Sequence, residues 1–132
     1  MRFALILFLI MLWQNEPRAQ TTEERPTLLI FSGSDWCIPC IQFEKTILSD
    51  SSVTAYVAQH LKLVKADFPQ RIKLSADQQV ANEALAERYN PEGAFPKILL
   101  LHPDQSIWAV LSWHNYSPES FTRQLDQLLS PH

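Results

Sequence analysis

Residues 27–40 read Thr27-Leu28-Leu29-Ile30-Phe31-Ser32-Gly33-Ser34-Asp35-Trp36-Cys37-Ile38-Pro39-Cys40, and this stretch decides the fold. Thr27 to Phe31 is a continuous apolar run with β-branched content, which reads as a strand buried on both faces. Ser32 to Asp35 breaks the run. A helix is expected from Cys37 to about Leu48, with Phe43, Ile47 and Leu48 at helical spacing. The buried strand therefore turns directly into a helix that begins at Cys37. There the unpaired N–H groups and the helix dipole favour a thiolate. Cys37 is accordingly expected to be the exposed, attacking sulfur, while Cys40 lies one turn in and faces the packing.

Cys37 and Cys40 are the chain's two cysteines and form a single C-x-x-C. A zinc site would need two further ligands. The four histidines, His60, His102, His114 and His132, are isolated and at least twelve residues apart, so no metal is expected. A purely structural bridge closing so short a loop would contribute only roughly 2 kcal/mol in the chain-entropy model, less than a long-range bridge. A redox-active dithiol is the reading that the strand-to-helix context favours. The alternative is a protein-binding module whose disulfide is incidental or structural.

Composition narrows the rest. The 132 residues suffice for one domain, and 46% apolar against 19% charged residues can bury a core. A net charge of −3 with no Lys/Arg cluster argues against nucleic acid as a partner. The two glycines, Gly33 and Gly93, cannot build a glycine-rich phosphate loop. Met1-Arg2 followed by the apolar run Phe3–Trp13 reads as a signal peptide over residues 1–20, because eleven residues are too few to span the bilayer as a helix. Pro17 makes the cleavage site imperfect, and an uncleaved anchor is the other reading. Either way the domain, residues 21–132, is expected to be periplasmic or secreted.

Working outward from the dithiol, Asp50 can cap a second helix carrying Val53, Tyr56 and Val57. Leu61–Asp67 reads as a strand and Pro69–Leu74 as a basic loop. Ser75 and Gln78 form a possible capping box for a helix carrying Val80, Ala84, Leu85 and Tyr89, stopped at Asn90-Pro91. Lys97–Leu101 and Ile107–Trp113 read as a hairpin across His102-Pro103-Asp104-Gln105. Ser117-Pro118 opens a last helix with Phe121, Leu125, Leu128 and Leu129 on one face. The order is β-α-α-β-α-β-β-α.

Asp35-Trp36-Cys37-x-Pro39-Cys40 after a hydrophobic strand, and Phe95-Pro96-Lys97-Ile98-Leu99-Leu100 about 56 residues later, resemble the thioredoxin superfamily. With Phe43-Glu44-Lys45, Ser49-Asp50 and Val53, the chain is similar to secreted thioredoxin-like proteins and to the C-terminal periplasmic domain of thiol:disulfide interchange reductases. The resemblance implies an α/β fold with a central four-stranded mixed sheet and helices on both faces. It implies thiol–disulfide exchange with Cys37 as nucleophile and Cys40 as resolving thiol. It further implies a cis bond before Pro96, with Trp36, Phe95 and Pro96 meeting the substrate chain. No cofactor is implied. The implied partners are protein thiols and disulfides and an envelope or membrane redox protein, with the domain acting as a monomer. The chain departs from the family where a buried Asp usually stands six residues before the first Cys. Here that position is Phe31, and Glu44, four residues past Cys40, is the candidate replacement. Lys62 and Lys65 lie on the strand that often supplies a lysine partner. Trp108 and Trp113 read as strand packing. Since Ile38-Pro39 carries no charge or imidazole, reductant behaviour is favoured over strong oxidant behaviour.

Overall fold

β1 (Thr27–Ser32) is the spine of the computed structural model, which describes residues 24–131. Its central residues Leu28 to Phe31 are all buried, as a strand covered on both faces requires. Leu28 and Ile30 point to one layer and Leu29 and Phe31 to the other, so a single strand seeds two cores. The sheet runs β2-β1-β3-β4. β2 (Lys62–Asp67) lies parallel to β1, β3 (Lys97–Leu101) antiparallel to it, and β4 (Ile107–Val110) forms a hairpin with β3. The mixed four-stranded sheet with helices on both faces is the expected architecture.

The helices are divided unevenly. α1 (Ile38–Phe43) runs on into a π-helical turn, Glu44–Leu48, marked by the Ser49 N–H donating to Glu44 C=O at 2.9 Å. α2 (Ser51–His60) and α4 (Pro118–Leu129) join this segment on one face. Phe43, Ile47, Val53, Val57, Phe121 and Leu125 pack there on Leu28 and Ile30. Each such buried side chain stabilises by about 1.5–3 kcal/mol. α3 (Ala76–Tyr89) alone covers the other face, where Leu85, Ala86 and Tyr89 meet Leu29, Phe31, Ala66, Leu99 and Leu101.

The caps fall where the sequence places them. Asp50 accepts the Ser52 N–H, Ser75 and Gln78 close a capping box, and Ser117 caps α4 with Pro118 in its first turn. Two expectations need correcting. Val80 is 67% exposed and Ala84 is also exposed, so the apolar face of α3 is narrower than its sequence suggests. β4 stops at Val110 rather than Trp113. After Leu111 the chain leaves the sheet, Trp113 packs on Phe43 at 5.7 Å, and a turn through Asn115 (φ 63°) follows it. The expected signal peptide, residues 1–20, and His132 lie outside the described residues.

Candidate active site

The site is built on the turn between β1 and α1. Gly33 C=O accepts the N–H groups of Trp36 and Cys37 at 3.3 and 2.9 Å, which sets Cys37 as the N-cap of α1. Cys37 Sγ in turn accepts the N–H of Cys40 at 3.3 Å. The helix thus aims an unpaired donor at the sulfur expected to carry negative charge. Cys37 and Cys40 are joined as a disulfide with Cα atoms 5.2 Å apart, and Cys40 Sγ accepts the Gly33 N–H at 3.5 Å.

One expectation is overturned here. Cys37 is not an exposed sulfur: it is 5% accessible, against 2% for Cys40. Its Sγ turns inward to cap the helix and to meet its partner, and Ile38 and Pro39 take the outward positions. The two sulfurs differ in position on the helix far more than in exposure.

Trp36 stands beside the pair. Its Nε1 donates to Phe68 C=O at 2.7 Å, and its ring meets Phe95 edge-on at 5.6 Å. Phe95 meets Phe68 in the same manner, also at 5.6 Å, so three aromatic rings join the three loops around the dithiol. The turn under Trp36 must be glycine, because a Cβ on Gly33 would lie 2.3 Å from the indole. The Phe95–Pro96 bond is cis. Among the described residues no hydrogen bond engages the Phe95 N–H or C=O.

Glu44 and Lys65 meet. Lys65 Nζ donates to both Glu44 carboxylate oxygens, at 3.0 and 3.2 Å, with both side chains about half exposed. Beside them a pocket of about 500 Å3 is lined by Ser34, Cys40, Ile41, Glu44, Lys65 and Asp67. Glu44 therefore shares one cavity with Cys40, and the structure selects Lys65 over Lys62 as its partner. Phe31 is fully buried, so the position six residues before Cys37 offers no proton acceptor.

The positioning roles of Asp35, Asp67, Asn90 and Lys97 are not legible in the sequence. Asp35 accepts the backbone N–H groups of Gln70, Arg71 and Ile72 at 2.8, 2.7 and 3.1 Å. Those amides, Gln70 first, hold its carboxyl below the ordinary value of 3.8, with the Arg71 guanidinium adding to them. Asp67, at the end of β2, accepts the Ser34 N–H at 2.9 Å and its hydroxyl at 2.5 Å. Asn90 is buried and bonds both main-chain groups of Ala94, at 2.9 and 3.0 Å, fixing the loop that delivers Phe95. Lys97 reinforces that loop by bonding Tyr89 C=O at 2.7 Å and pairing with Glu92. The remaining aromatics pack: Trp108 and Trp113 lie against the core, with His102 stacked on Trp108 at 4.2 Å.

A family model described as thioredoxin-like matches residues 10–103, more than half of the chain. The chain belongs to the thioredoxin-like family. Among thioredoxin-like relatives, it is 34% identical over 79 residues to the disulfide bond reductase DsbH of Chlamydia pneumoniae, covering 60% of this chain. The chain spans about half, 47%, of the length of that protein. A solved structure titled DsbH oxidoreductase superposes with a TM-score of 0.75 at 26% identity, covering 88% of this chain and 83% of that one. The oxidised C-terminal domain of Neisseria meningitidis DsbD shares the thioredoxin-like fold, with a TM-score of 0.51 at 18% identity over 96% and 95% of the two chains.

Proposed function

We propose that this domain is a thiol–disulfide oxidoreductase that reduces disulfides of other proteins outside the cytoplasm. The observation that carries the reading is Cys37 Sγ seated as the helix cap, accepting the Cys40 N–H at 3.3 Å while bonded to Cys40. In the reduced protein the same donor stabilises a Cys37 thiolate. That thiolate attacks one sulfur of a substrate disulfide, forming a mixed disulfide and releasing one substrate thiolate. Cys40, losing its proton towards Glu44 through their shared pocket, then attacks Cys37 Sγ and expels the second substrate thiolate. Two electrons pass to the substrate, and the domain is left with the Cys37–Cys40 disulfide. Sulfur supplies nucleophile and leaving group alike, so the exchange needs no metal or organic cofactor. A dithiol donor in the membrane or envelope restores the reduced pair.

Trp36 and Phe95 flank the sulfurs, and the unengaged N–H and C=O of Phe95 pair with a bound peptide like a short added strand, next to Pro96. Reduction rather than oxidation follows from the uncharged Ile38-Pro39 between the cysteines, which adds nothing to thiolate stabilisation beyond the helix. The name of the Chlamydia pneumoniae relative, a disulfide bond reductase, supports the same direction. The N-terminal segment, read as a signal peptide, supports export, and the domain works as a monomer.

The test is the reduction potential of the Cys37–Cys40 couple in a glutathione buffer. A value near ~ −270 mV supports the reductant, whereas one near ~ −120 mV makes the domain an oxidant. A pair with no reversible couple is a structural disulfide, and the protein is then a binding module.

A further inference from the structure

The segment 67–74, which ends in the loop Pro69–Leu74, is tied to the dithiol turn at three places, and the loop does no chemistry in the exchange itself. Asp35, two residues before Cys37, takes the N–H groups of Gln70, Arg71 and Ile72. Trp36 holds Phe68 C=O, and Asp67 holds Ser34. Three successive backbone amides on one carboxylate fix the loop's path, so its side chains project from a defined lip beside the sulfurs. Ile72 is 63% exposed on that lip, and Ile38 is 64% exposed next to Cys37. Between the lip and α3 lies a pocket of about 360 Å3.

The lip is cationic on a chain of net charge −3. Arg71 and Lys73 are both exposed, and neither forms an ion pair among the described residues, where the pairs are Lys65–Glu44 and Lys97–Glu92. The carboxylates that bond the lip or line its pocket are already hydrogen-bonded. Asp35 is held by the amides, Asp67 by Ser34, and Glu83 accepts from Gln79 at 3.1 Å. Arg71 acts on Asp35 only at a distance. Two exposed cations outside any ion pair, presented on a fixed backbone beside an apolar surface, are suited to meet carboxylates that arrive with another chain. Rim charges of this kind act on encounter and register more than on the chemistry.

We infer that the lip Pro69–Leu74 docks the polypeptide whose disulfide is reduced, and that Arg71 and Lys73 select segments carrying Asp or Glu beside that disulfide. The inference rests on the exchange reaction proposed above and names the substrate class for it. Ile38 and Ile72 supply the apolar contact, and the two cations supply the discrimination.

The experiment compares two synthetic peptides of one length, each closed by an intrapeptide disulfide flanked by Glu in one and Lys in the other. The reduced full chain is mixed with each peptide, and with neutral hydroxyethyl disulfide, at low salt. The acidic peptide is expected to react faster. Arg71→Gln with Lys73→Gln should lower its rate by roughly 1.4- to fivefold per cation, the range of exposed charge pairs. Its rate with hydroxyethyl disulfide should not change, and Arg123→Gln on α4 should change neither. Added salt should shrink the preference, since the Debye length falls to ~3 Å at 1 M. Equal rates for the two peptides, or a preference that survives the double substitution, overturn the docking assignment while leaving exchange intact. Failure to reduce even hydroxyethyl disulfide overturns the exchange reaction and the docking assignment with it.

Discussion

Lys65 Nζ lies 3.0 and 3.2 Å from the two carboxylate oxygens of Glu44, across the mouth of the pocket that reaches Cys40. The pair joins the helix that carries the dithiol to the edge strand β2 and holds Glu44 at that mouth. Being half exposed, it contributes little to stability. Its value is positional.

Glu44→Gln is expected to slow the release of substrate from the mixed disulfide. It should also lower the apparent pKa of the Cys40 thiol, because a nearby negative charge disfavours thiolate. Lys65→Met should slow the same step by freeing Glu44, while Lys65→Arg keeps the pair. Alkylation rates against pH, read separately for the two cysteines by mass spectrometry, check both outcomes. Unchanged rates in Glu44→Gln would show that the carboxylate is only a solvated helix residue.

Removing one sulfur at a time separates attack from resolution. Cys40→Ala should accumulate reductant-sensitive adducts with substrate proteins, since nothing remains to resolve the intermediate. Cys37→Ala should accumulate almost none. Non-reducing gels of extracts from exporting cells give the answer, and equal adducts from both variants would reverse the assignment.

Asn90→Ala should cost about 1–2 kcal/mol, because it removes two neutral hydrogen bonds to Ala94 that are each worth roughly 1 kcal/mol net. A urea midpoint measures that loss. The same variant should weaken peptide reduction more than reduction of a small disulfide, because Asn90 fixes the approach to Phe95.

Asp35 makes the lip pH-sensitive. Its carboxyl is depressed in the folded chain, first by the Gln70 amide, so its contribution is fully present above the ordinary value of 3.8. That contribution is lost as the pH falls through the lower folded value. The amide resonances of Gln70, Arg71 and Ile72 should therefore titrate together below pH 3.8, and in Asp35→Asn they should not titrate with it.

Much of this was legible because it is local. The both-face burial of β1 follows from an apolar run, and the caps at Asp50, Ser75 and Ser117 follow from side chains within three residues of the amides they satisfy. Cys37 as N-cap follows from the turn beside it. What escaped depends on partners far along the chain. The Asp35 amides lie 35 to 37 residues away and Lys65 lies 21 residues from Glu44, so no local spacing announces them. The π turn at Glu44–Leu48 escaped because a shifted hydrogen-bond ladder leaves the residue types of an ordinary helix unchanged. The burial of Cys37 is not legible because helix position says where a sulfur stands, not which neighbours rise around it.

The sheet's uneven cover has a kinetic consequence. α3 carries one face alone, and its ends lead into both walls of the active site: the lip that precedes Ser75 and the Asn90–Ala94 loop before Phe95. Asn82 at its middle bonds Asp67 C=O at 2.9 Å, and Tyr89 at its C-terminal end bonds Gln105 C=O at 2.7 Å. With only Leu85, Ala86 and Tyr89 packing it on the sheet, α3 is expected to open more cheaply than the helices of the opposite face, and both walls should loosen when it does. Amide hydrogen exchange in α3, the lip and the Phe95 loop should then proceed as one cooperative unit, faster than in the dithiol helix on the opposite face.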